Sequence, residues 1–369
     1  MDTACHHFFS LLRAGLWEQN PGIPAGEPID FEALFKVAEE QSVLGVMTAG
    51  IEHLEGREVS KYEVKDFMWQ VIYLDDRNAS MNAFIADLFK RLEGEGIRAM
   101  LVKGQGIAQC YERPMWRESG DIDLLLDADN YLKAKAFLCP LADKVSDEQV
   151  GKKHLGMHLG PWHLELHGTM RTGLPGRANA VIDRVQQDCM DGNVRLWRNG
   201  DIDIPLPGPT NDALLIFTHY LTHFFYGGIG LRQVCDWCRL LWTYRDSIDR
   251  GHIEDLVRQS GLVSEWKAFA AFAVDNLGLP ADAMPLYDPS LVWQRKARRI
   301  HSFIMETGNF GHNRDKSYYS KYPYLVYKAI SLWGHIRDFF KRLMIFPLDS
   351  LRVFGLTLVG GVKAVAEGK

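Results

Sequence analysis

The chain has 369 residues, of which 47% are hydrophobic, 24% charged and 11% aromatic, the balance of an ordinary globular protein. Disorder, collagen and coiled coil are excluded as whole-chain readings, and at roughly 100–200 residues per domain the length suggests two or three domains. Forty-two Lys and Arg against forty-seven Asp and Glu leave a net charge of −5, so no global basic field exists to hold a polynucleotide, and nucleic acid is not an expected partner.

From residue 30 to 95 the pattern predicts helices. Asp30 is placed to cap a run carrying Phe31, Leu34, Phe35, Val37 and Ala38, and a second amphipathic stretch carries Phe84, Ile85, Leu88, Phe89 and Leu92. After Gly94 and Gly96 the apolar run Ile97 to Val102, ending at Lys103-Gly104, reads as a buried strand, and a short helix through Ile107, Ala108 and Tyr111 follows. Asp121 to Leu126 reads as a second strand, with another helix beginning near Asp127. Leu155–Leu159 and Trp162–His167, separated by Gly160-Pro161, predict a hairpin, and a later pair flanks the tight-turn dipeptide Asn199-Gly200. From Thr210 onward the pattern is helical, broken at Gly227-Gly228 and Pro280. Six cysteines (Cys5, Cys110, Cys139, Cys189, Cys235, Cys238) are too sparse for a disulfide framework, no stretch reaches the roughly 20 apolar residues of a membrane span, and a cytoplasmic protein is expected.

In Asp121-Ile122-Asp123 two carboxylates sit two residues apart on a strand and leave the same face. Such hard oxygens suit Mg²⁺, which takes one or two carboxylates and completes its shell with water and substrate phosphates, and Gly120 would let a phosphate approach the backbone. The tetrapeptide Gly-Asp-Ile-Asp occurs again at 200–203, where it follows a tight turn and runs into Pro-rich sequence; that copy is assigned no chemistry. The first copy differs because it enters a wholly apolar strand and follows a strand–glycine–helix unit at Lys103-Gly104.

Leu101-Val102-Lys103-Gly104, Arg117 and Gly120 to Leu126 resemble the uncharacterised nucleotidyltransferase family of the DNA polymerase β superfamily, as do Leu164-Glu165-Leu166-His167 and the later set His219, His223, Gly230-Leu231-Arg232 and Asp236. The resemblance implies an α+β fold: a small mixed polymerase β-like sheet flanked by helical regions, divided as 1–95, a transferase core 96–205, and a C-terminal helical domain 206–369. It implies that Asp121, Asp123 and Glu165 bind two Mg²⁺ ions and that Lys103, Gly104, Gln105, Arg117 and Gly120 contact an NTP. A nucleoside monophosphate would pass to a hydroxyl or amine on a small molecule or a protein. Two departures stand out: Lys-Gly-Gln-Gly at 103–106 replaces the usual Gly-Ser, and Glu165 is one methylene longer than the usual Asp.

Other residues carry competing readings. His163, Glu165 and His167 share a strand face, with His154 and His158 nearby, and could bind Zn²⁺ for hydrolysis; a non-catalytic nucleotide-binding protein is a further alternative. His219 and His223, at i and i+4, read as pocket-lining, Cys235 and Cys238 as packing, and Asp236 as an ion-pair partner of Arg232. Residues 321–369 hold net charge +5 with interleaved aromatics, a pattern suited to self-docking, a protein contact or peripheral membrane association.

Overall fold

The computed structural model describes residues 3–57, 59–149, 151, 153–309 and 324–355. Helices α1 (Thr3–Trp17), α2 (Phe31–Gln41), α3 (Leu44–Glu52) and α4 (Lys65–Gly94) come first. Asp30 caps α2 as expected, accepting from the Ala33 N–H at 2.9 Å. Next are β1 (Met100–Val102), α5 (Gly104–Ala108), β2 (Ile122–Leu125), α6 (Ala128–Leu138), β3 (Lys144–Val145), β4 (His154–Leu159) and β5 (Trp162–His167). They are followed by α7 (Gly176–Met190), β6 (Val194–Asn199), β7 (Ile202–Pro207), α8 (Pro209–Tyr226), α9 (Leu231–Thr243), α10 (Arg250–Ser260), α11 (Val263–Leu277), α12 (Leu291–Thr307) and α13 (Tyr324–Leu343).

Five strands form one mixed sheet in the order β1-β2-β5-β4-β3, with β2 and β5 parallel and the other neighbours antiparallel; β6 and β7 form a separate hairpin. Both expected hairpins are present. The run from Ile97 is strand only from Met100, because the backbone is still leaving the turn at Gly96, whose φ is +64°.

Strand alternation gives the sheet two unlike faces. On one, Ile122, Leu124, Leu155, Met157, Leu164 and Leu166 pack on Met81, Ile85 and Leu88 of α4 and on Tyr131 and Leu138 of α6. The other carries Asp123, Glu165 and the histidines towards α8. A second core joins α1–α3 to α8–α12, with α1 packed on both α3 and α11 and with Phe217, Trp237, Trp266 and Phe269 at its centre. Cys235 and Cys238 are buried there, and no disulfide joins any of the six cysteines.

Among the described residues no helix is long and apolar enough to cross a membrane. Part of the basic aromatic segment packs on the chain itself, Phe346 lying 5.9 Å from the Phe224 ring, whereas Trp333 and Phe340 are exposed. Residues 321–323 and 356–369 of that segment lie outside the described residues.

Candidate active site

Parallel pairing of β2 with β5 sets Asp123 opposite Glu165, and antiparallel pairing of β4 with β5 sets His154 opposite His167. Because all four leave the same face, the sheet alone assembles the cluster. Lys103 follows β1 and reaches across to donate to Asp123 Oδ1 at 2.8 Å, and His167 Nε2 meets the same oxygen at 2.7 Å. His154 Nε2 lies 3.0 Å and His167 Nε2 3.4 Å from Glu165 Oε2, and His163 Nδ1 lies 3.8 Å from Glu165 Oε1.

Electrostatics separates the three carboxylates. Burial opposes ionisation of Asp123, which is 2% exposed, but Lys103 and His167 more than offset it and hold its carboxyl far below the usual range. Burial is likewise outweighed at Glu165 by hydrogen bonds from His154 and His167. Asp121, at the open mouth of the cleft, is shifted the other way by desolvation and the charge of Asp123, and it makes no ion pair among the described residues. Across the cleft, burial and Lys103 keep His223 neutral, with a pKa of about 4, and push His219 down as well; their Nε2 atoms lie 3.2 Å apart.

The cluster divides two adjoining hollows. One, of 470 Å³, is lined by Lys103, Gly104, Arg117, Gly120, Asp121, Asp123, Glu165, His219, His223 and Arg232. The other, of 340 Å³, shares Lys103, Glu165, His219 and His223 and extends past His154, His167, Thr169 and Arg171. A wider groove of 660 Å³ beside β7 is lined by Asp201, Ile202 and Asp203 of the second Gly-Asp-Ile-Asp, but there Asp201 pairs with Lys90 and Asp203 with Arg198 at exposed positions.

Several sequence expectations change on contact with this geometry. Gln105 faces away from the cleft, 1% exposed, and its amide donates to Asn78 Oδ1 at 2.8 Å. Asn78 in turn holds the carbonyls of Met115 and Arg117, and Arg77 those of Ser119 and Gly120, so α4 braces the loop that delivers Arg117 and Asp121. Asp236 pairs with Arg117 rather than Arg232, accepting from Nη2 at 2.6 Å and Nε at 3.0 Å, and also accepts from the Tyr111 hydroxyl. Arg117 is therefore part of the cavity wall with its charge already matched. Arg232 donates to the Glu118 carbonyl at 2.7 Å, while its buried Nε has no hydrogen-bond partner. Among the histidines, His154, not His163, converges with Glu165 and His167; His163 falls with Asp121 and Glu165. The Arg77–Asn78 brace was missed because mid-helix polar residues carry no local signature of the loop they will meet.

Lys103 (φ +58°) and Gly104 (φ +40°) form a left-handed step between β1 and α5, and a Cβ at Gly104 would lie 3.3 Å from the Asp121 carbonyl oxygen. The helix that begins there has only five residues, so its dipole adds little, and the Lys103 ammonium is already committed to Asp123.

A family model described as uncharacterised nucleotidyltransferase matches residues 27–278, which include β1–β7, both hollows and the whole of α2–α11. No curated protein and no solved structure matches the chain.

Proposed function

Because the chain belongs to the uncharacterised nucleotidyltransferase family, we propose that its cleft transfers a nucleoside monophosphate from an NTP to a hydroxyl or amine, with Asp121, Asp123 and Glu165 holding Mg²⁺. The observation that carries this reading is that three carboxylates line one cavity of 470 Å³, large enough for a nucleotide, Asp123 and Glu165 from paired strands and Asp121 from the residue just before β2, and that Asp121 makes no ion pair among the described residues. The donors fit around Asp121 and Glu165, whose oxygens lie within 4.8 Å of each other and of a His163 ring nitrogen; Asp123 stands outside that set, with both bonds from Lys103 and His167 on its Oδ1 and its other oxygen outside that pairing. When bound, the ion would supply Lewis-acid activation of the acceptor and charge neutralisation at the departing pyrophosphate.

The remaining chemistry belongs to the side chains. Of the three cations lining the larger hollow, Lys103 is paired with Asp123 and Arg117 with Asp236, whereas Arg232 is tied only to a backbone carbonyl and keeps an unsatisfied Nε. Arg232 is thus the residue to grip an anionic phosphate. His219 and His223, neutral near pH 7, can accept or donate a hydrogen bond without adding charge. The smaller hollow, beyond Glu165, is the place for the acceptor, a small molecule or a protein side chain. A setting in the cytoplasm supplies both NTP and the reducing conditions that six unlinked cysteines suit.

The test is label transfer from each α-labelled NTP in Mg²⁺, with cell extract as the source of acceptor. Label incorporated with pyrophosphate release, and lost in Asp121→Ala, supports the reading; NTP retained unconsumed would instead make the chain a nucleotide-binding protein.

A further inference from the structure

Glu165 belongs to two separate ligand sets. Towards the larger hollow it converges with Asp121 and His163; towards the smaller it converges with His154 and His167, the candidate donor atoms in each set lying within 4.8 Å of one another. The second set is built by register, since His154 and His167 are directly opposed on β4 and β5. Its spacings, 3.0 Å and 3.4 Å from the two Nε2 atoms to Glu165 Oε2, are close to those of a coordination polyhedron. Donors about 2.0–2.2 Å from one tetrahedral ion lie roughly 3.3–3.6 Å from each other, so small side-chain rotations suffice.

We propose that His154, Glu165 and His167 form a distinct site for a first-row transition ion of the Zn²⁺ type, joined through Glu165 to the oxygen-rich site at Asp121. Two imidazoles and one carboxylate select such an ion over Mg²⁺, which prefers oxygen donors. The adjoining 340 Å³ hollow leaves room for water or an acceptor group on the open side. Occupation has a structural consequence. His167 Nε2 now contacts Asp123 Oδ1 and cannot hold that bond and an ion together, so loading transfers His167 from Asp123 to the ion and leaves Asp123 with Lys103 alone. This inference goes beyond the transferase reading and is tested without turnover.

The experiment titrates chelator-treated full-length protein with Zn²⁺ alone by calorimetry and with Co²⁺ alone by visible absorption. It compares wild type, His154→Ala, His154→Gln and Asp121→Asn. The expected result is one Zn²⁺ equivalent not displaced by excess Mg²⁺, weakened at least about tenfold in both His154 variants and unchanged in Asp121→Asn. Glutamine separates the roles, because it can keep a hydrogen bond to Glu165 yet is a poor ligand. His154 is a quarter exposed, and thermal unfolding confirms that its variants fold. Unchanged Zn²⁺ affinity in folded His154 variants, loss in Asp121→Asn instead, or no stoichiometric binding by wild type would overturn the site. Intact NTP binding alongside any of these outcomes leaves the transferase reading standing.

Discussion

At the residue scale, the cleft trades stability for chemistry. The pKa of Asp121 is raised by desolvation and by the charge of Asp123, so its ionised form is held against local repulsion. Asp121→Asn is expected to raise stability slightly, by roughly 0.5 kcal/mol with solvent screening at the open mouth, while abolishing label transfer; urea denaturation beside the transfer assay checks both. Arg117 behaves oppositely, because its bidentate partner Asp236 is buried with it. Arg117→Ala strands that carboxylate and should cost about 3–5 kcal/mol in urea unfolding. Arg232→Gln, by contrast, should weaken NTP binding about tenfold or more with little change in nucleoside binding, as calorimetry would show. Asp123 was legible because strand alternation dictates its face, whereas Asp121, expected on the same strand, precedes β2 and reaches the cavity from the end of the loop instead. Gln105 and Arg117 were not legible, because their partners Asn78 and Asp236 lie 27 and 119 residues away and are chosen by tertiary packing.

At the scale of elements, hairpins were legible from turn chemistry, and the β2–β5 pairing that creates the site was not, since parallel register leaves no local mark. Close helix contact was equally hidden. Gly15 of α1 and Gly50 of α3 each face the other helix's backbone, where an added Cβ would lie 1.8 Å from the Val46 oxygen and 2.0 Å from the Leu11 oxygen. Gly50→Ala must therefore separate α1 from α3, and a fall of more than about 2 kcal/mol in unfolding free energy is expected. A second element contact is pH-sensitive. Glu265 of α11 faces Asp349, with Lys296 and Arg352 nearby, and burial together with Asp349 raises its pKa from 4.5 to about 8. A raised folded-state pKa means that this contribution is present below pH 4.5 and lost as pH climbs towards about 8. Unfolding midpoints should decline across that window, and Glu265→Gln should flatten the decline.

On the scale of the whole molecule, packing does not follow chain order. Helices α1–α3 share one core with α8–α12, while α4 joins the sheet, so the segment carrying the carboxylates is clasped between parts of the chain far apart in sequence. The composition and periodicity that identify helices cannot say which of them meet, because every amphipathic face is satisfied equally well by any apolar partner. The consequence for function is a cleft with one wall from the sheet and the other from α8 and α9, which brings Asp121, Glu165 and Arg232 around one cavity. The measurement that bears most directly on this account is calorimetric titration of ATP, GTP, CTP and UTP, each with and without Mg²⁺, into wild type and Asp121→Ala. The account predicts Mg²⁺-dependent binding of at least one nucleotide, weakened tenfold or more by the substitution; no binding to any of the four, or binding indifferent to Asp121, would contradict it.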